Sequence, residues 1–178
     1  MTFKEAVRTC FSKYVTFSGR ASRSEYWYFV LFVILGSIAC SILDTIFFGS
    51  AMVETGPGEF SASTSSNGPI NAIFSLATLL PSLSAGWRRM HDTGRSGFFL
   101  LYPLIVMIGI FTFVGFLSGF PTLMAGDFSG IIGGTSSVIL FIAVFVLIIS
   151  PLLVLWWLTR PSQPGTNTFG PNPHKVTP

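Results

Sequence analysis

The sequence predicts an all-α, polytopic membrane protein: four transmembrane helices preceded by an amphipathic helix at the membrane interface. Three observations carry this prediction. Half of the 178 residues are hydrophobic and only 10% are charged, against about 25% charged in an ordinary soluble domain. Four apolar runs approach the roughly 20 residues that cross the hydrocarbon of a bilayer, and lipid offers no partner to irregular backbone, so each run must be a helix. The ten basic residues gather in the connections beside these runs rather than on a soluble basic face, which argues for a membrane surface over nucleic acid as their counter-charge.

In chain order, Thr2-x-x-Glu5 has the form of a capping box. Phe3, Val7, Cys10, Phe11 and Tyr14 then recur at helical spacing opposite Lys4, Arg8 and Lys13, giving an amphipathic helix over residues 3–15. It suits either the membrane interface or packing on the protein's own loops. Ser22-x-x-Glu25 repeats the capping pattern and opens the first span, residues 24–48. Its Asp44, the lone carboxylate inside an apolar run, falls close to the far end, where an interfacial carboxylate is cheap. Residues 49–69 are rich in Ser and Gly and read as a mobile loop carrying Glu54 and Glu59. The second span, residues 70–90, is the least apolar; Asn71, Ser75, Thr78, Ser82 and Ser84 place it inside the bundle and Pro81 predicts a kink. The third and fourth spans are residues 97–118 and 138–159, separated by a Gly-rich connection that carries Asp127. Residues 161–178, dense in Pro, Gly and Asn, read as a flexible tail without a core. Cys10 and Cys40 fit no metal or redox spacing and read as free thiols.

Sorting the cations gives orientation. Five precede the first span (Lys4, Arg8, Lys13, Arg20, Arg23), three lie between the second and third (Arg88, Arg89, Arg95), and two follow the fourth (Arg160, Lys175). The other two connections hold only acids, so the positive-inside rule puts both termini and the central loop in the cytoplasm. Trp27, Trp87, Trp156 and Trp157 fall at the same ends, where an indole is favoured at the interface.

This brings Arg20, Arg23, Arg88, Arg89, Arg95 and Arg160 to one layer, with Ser96 opening the third helix and Glu25, His91 and Asp92 as polar partners; Arg88 and Asp92, at i and i+4, are placed to pair. One reading is a site for an anionic lipid head group, gripped by arginine forks and free N–H groups at Ser96-Gly97. The other is that the arginines set topology while Glu25 and Asp92 fix loops through salt bridges. A transporter or channel subunit using Asp44 and the polar face of the second span is an alternative from another class. Catalysis on a lipid-linked substrate through His91 and Asp92 is a third, but the cytoplasmic side offers only Glu5, Glu25 and Asp92 as carboxylates, and no nucleophile elbow, P-loop or HExxH motif occurs. No cofactor or metal is expected, and a homo-oligomer or membrane-protein partner stays open.

Three segments, Gly19-Arg20-Ala21-Ser22-Arg23-Ser24-Glu25-Tyr26-Trp27, Arg88-Arg89-Met90-His91-Asp92-Thr93-Gly94-Arg95-Ser96-Gly97 and Gly165-Thr166-Asn167-Thr168-Phe169-Gly170-Pro171-Asn172-Pro173, resemble in order the small bacterial inner-membrane proteins grouped as domain of unknown function 805. The resemblance implies a bacterial inner-membrane location and a small multi-helix domain; it implies no activity.

Overall fold

The computed structural model describes residues 1–56, 59–66, 68–119, 124, 126 and 135–173. The Glu54 and Glu59 side chains, Asp127 and Lys175 lie outside what it describes. Its helices are α1 (Phe3–Ser12), α2 (Arg23–Phe48), α3 (Ile70–Asp92), α4 (Tyr102–Ser118) and α5 (Thr135–Thr159). α2, α3, α5 and the segment Gly97–Phe116 are long and apolar enough to cross a membrane. The side chains along them, such as Ile34, Ile38, Ile108 and Phe141, are largely exposed, as a lipid-facing surface requires.

The ends of these elements follow local rules. Thr2 and Glu5 form both halves of the capping box on α1. At α2 only half of it forms: Ser22 accepts from the Glu25 N–H at 3.2 Å, but the Glu25 carboxylate turns away to Arg88. The third span opens with a 3-10 turn, Gly97–Leu101, instead of an α-helix. Pro103 follows in the first turn of α4, where its missing N–H costs no helical bond.

The prolines inside helices each release a carbonyl that a hydroxyl recovers. Pro81 leaves the Ala77 carbonyl without its helical donor, and the Tyr14 hydroxyl, arriving from beyond α1, donates to it at 2.7 Å. Pro151 frees Leu147 in the same way, and the Ser150 hydroxyl donates to it at 3.1 Å. α1 therefore packs on the protein itself: Ala6 and Cys10 are fully buried, Cys10 clusters with Phe29 and Ala85, and Phe11 meets Phe29 and Phe32 edge to face. Phe3, Phe11 and Val15 remain exposed beside Lys4 and Arg8.

Two features differ from expectation at the end away from the arginines. The Ser/Gly-rich connection forms an antiparallel hairpin, β1 (Gly49–Gly56) with β2 (Glu59–Ser66), in register from Gly49 opposite Ser66 to Gly56 opposite Glu59. Asp44 is not at an open interface but 2% exposed, and it caps α3 from outside the helix. Pro69, at the cap position, has no side chain that can accept, so Asp44 accepts from the N–H groups of Ile70 (2.9 Å) and Asn71 (2.8 Å), where the helix dipole also favours an anion. Gly68 lies against this carboxylate with no room for a Cβ.

α2 packs on α3 and α4 on α5, giving two helical hairpins. They join at the arginine end, through contacts of α3 with the 3-10 turn and with α5.

Candidate functional site

In a water-soluble domain the largest buried side chains are apolar. Here they are Arg88 and Arg89, 1% and 0% exposed. Successive residues on a helix point about 100° apart, so these two arginines face different neighbours.

Arg89 faces α5. Its Nε donates to the carbonyl of Leu158 at 3.0 Å and its Nη2 to that of Arg160, so it caps the end of α5, while its Nη1 pairs with Asp92 three residues on. Arg88 faces α2 and pairs with Glu25. The pairing of Arg88 with Asp92 expected from i, i+4 spacing therefore does not form, because the turn of the helix gives each arginine its own carboxylate. Nε and Nη2 of Arg88 find no acceptor. Its neighbour Cys10 is a buried thiol, pushed up to about 11 by desolvation and the Glu25 charge against the opposing pull of Arg88.

Asp92 is the hub. One oxygen accepts from Arg20 Nε at 2.9 Å, the other from Arg89 and from the Ser162 hydroxyl, and its carbonyl accepts from the Gln163 N–H at 3.0 Å. Arg20 spends its remaining donors on carbonyls of Gln163 (2.7 Å), Gly165 (2.8 Å) and Gly170 (3.3 Å). The tail expected to be flexible is thus a strap, docked as far as Gly170 because its backbone acceptors complete a buried guanidinium. Phe169 stacks on the His91 ring at 3.9 Å and 6°, and the Asn167 amide donates to the His91 carbonyl.

The turn that leaves this hub is built by Gly94. Its φ of +77° closes α3 with bonds from Arg95 N–H to the Met90 carbonyl and from Gly94 N–H to that of His91, the two bonds of a Schellman ending. Gly97 then seats the Trp87 indole where a Cβ would stand 2.1 Å from it.

Of the residues expected in a head-group pocket, Arg20, Arg88 and Arg89 are turned inward, Arg20 and Arg89 onto carboxylates and carbonyls and Arg88 onto Glu25. Arg23 and Ser96 are exposed and Arg95 is half-buried. Ser96 precedes a five-residue 3-10 turn and makes no side-chain cap bond. Nδ1 of His91 is 3.0 Å from the Gly19 carbonyl, and among the described residues no carboxylate bonds to the ring, so Asp92 does not orient it. Among the described residues no group of His, Cys, Asp or Glu is arranged to hold a metal. Sequence reasoning missed Ser162, Gln163, Asn167 and Phe169. For Asn167 and Phe169 the signal was present in the third motif, read as composition rather than as a partner for the first two; Ser162 and Gln163 lie before it.

Four apolar helices, three of them tied at one end by a buried arginine-carboxylate knot, define a multi-pass integral membrane protein. Residues 14–126 match the family described as Protein of unknown function (DUF805), and the chain belongs to that family. It is 34% identical over 96 residues to the inner membrane protein YhaH of Escherichia coli K12, covering 54% of this chain and 69% of YhaH. It is also 34% identical over 98 residues to the inner membrane protein YhaI of the same strain, covering 54% and 68%. No solved structure gives a significant match. The protein is therefore a multi-pass protein of the inner membrane.

Proposed function

We propose that the protein is a non-catalytic binder of the anionic lipid surface, with its arginine-bearing end in the cytoplasm. The observation that carries this reading is a division of labour among the cations. Arg20, Arg88 and Arg89 are spent inside the knot, whereas Lys4, Arg8, Arg23, Arg95 and Arg160 make no ion pair among the described residues and lie on the rim. Unpaired cations beside tryptophans at a membrane edge are attracted to anionic head groups by about 1 kcal/mol each.

The other two readings lose the residues they need. Both oxygens of Asp44 are occupied in capping α3, which weighs against transport through it. Among the described residues no carboxylate bonds to the His91 ring, which weighs against catalysis.

In vesicles containing anionic phospholipid the protein should unfold at a higher temperature than in purely zwitterionic vesicles. The gain should fade as salt rises from ~0.15 M to ~1 M, because screening shortens from about 8 Å to about 3 Å. Identical unfolding in the two lipids would remove the proposal.

A further inference from the structure

The rim holds one built feature. Arg95 leaves the turn after α3 and Arg160 follows the last turn of α5, and each guanidinium lies over an indole of that last turn. Arg95 Cζ is 5.0 Å from the ring centre of Trp157, and Arg160 Cζ is 4.8 Å from that of Trp156. Stacking occupies the faces of the two cations and holds them in place, leaving their N–H edges for an acceptor.

Both border one hollow of about 280 Å³, shared with Thr93, Ser162 and Gln163. Neither pairs with a carboxylate among the described residues; the one hydrogen bond recorded for these guanidinium groups runs from Arg95 Nη1 to the Thr93 carbonyl at 3.2 Å. Two like charges at one hollow repel, and desolvation together with the Arg160 charge lowers the Arg95 pKa. An oxyanion between them relieves that repulsion.

The surroundings select the source of the oxyanion. Phe99, which meets Trp157 edge to face at 5.4 Å, and Trp156 under Arg160 both stay exposed, as does Phe98. A soluble phosphate gains nothing from this apolar surface, whereas acyl chains do. The hollow's wall is the strap, which Asp92 fixes through Ser162 and Gln163, so the internal knot also shapes the outer site.

We propose that Arg95 and Arg160 form a site for one phosphate of an anionic phospholipid, with its chains running along Phe99 and Trp156. This rests on the reading of the protein as an anionic-surface binder and assigns it a stoichiometric site.

Native mass spectrometry of the full chain, delipidated and then offered phosphatidylglycerol, phosphatidylethanolamine or inorganic phosphate, tests it. One phosphatidylglycerol per chain should survive activation that strips phosphatidylethanolamine, and inorganic phosphate should not compete. Arg95→Gln with Arg160→Gln should lower that occupancy about tenfold or more, and the charge-keeping Arg95→Lys with Arg160→Lys, which loses the forks, by several-fold. Ser18→Ala, at an exposed and uncharged position outside the rim cations, should leave it unchanged. Full occupancy in a folded double-Gln variant overturns the site while leaving vesicle preference intact; if that variant does not fold, full occupancy in the double-Lys variant overturns it. Displacement by inorganic phosphate reassigns the site to a soluble anion and also overturns it. Absence of any preference for anionic vesicles in the unaltered protein would instead remove the broader reading.

Discussion

Asp92→Ala is expected to cost on the order of 3–5 kcal/mol of folding stability, the usual penalty when one partner of a buried ion pair is removed. The reason is local. Arg20 and Arg89, each almost wholly buried, share this one carboxylate, and the Ser162 hydroxyl bonds to it as well. Taking it away leaves two guanidinium groups without counter-charge where water does not reach. The strap loses its side-chain anchor at the same time, so proteolysis between residues 161 and 173 should become easier before the spans unfold. Asp92→Asn, which keeps shape and loses charge, should fall between Asp92→Ala and the unaltered protein. Unfolding in detergent, followed by helicity, measures the series. A loss below about 0.5 kcal/mol, the range of neutral surface changes, would mean that Asp92 is not the hub.

The second large effect concerns Glu25 and Arg88. Glu25→Ala alone should cost about 3 kcal/mol, because it strands a guanidinium that is 1% exposed and already has two N–H groups without acceptors. Adding Arg88→Met should recover most of that loss. The double change removes both charges and fills the space with a flexible apolar side chain, and buried pairs replaced in this way are often neutral. The coupling expected between the two sites is therefore about 2–3 kcal/mol. Additive losses would show that Arg88 is held by something other than Glu25.

The parts of the fold set by local rules were legible in the sequence. Span length, the Thr2/Glu5 cap and the gathering of cations at one set of connections need only neighbouring residues, and four helices long and apolar enough to cross a membrane are present. What escaped depends on residues far apart in the chain. Arg88 and Asp92 share a helical face by spacing, yet the choice of partner was made by Glu25 on α2 and by Arg20, 72 residues from Asp92. The strap was misread for a different physical reason: Pro, Gly and Asn advertise the lack of an apolar core, but Arg20 is satisfied by backbone carbonyls, which composition does not report. Asp44 was read by its depth in the membrane, whereas its role comes from Pro69, which leaves α3 without a cap of its own. The hairpin over Gly49–Ser66 was hidden by serines and glycines that are weak strand formers.

Sidedness underlies both proposals, since rim cations can meet an anionic inner leaflet only if they face the cytoplasm. A reporter enzyme active only in the periplasm, inserted between Gly58 and Glu59 and separately appended after Pro178, measures it directly. Activity from the first fusion and silence from the second is the predicted result; the reverse pattern would place Arg95 and Arg160 on the wrong side of the membrane.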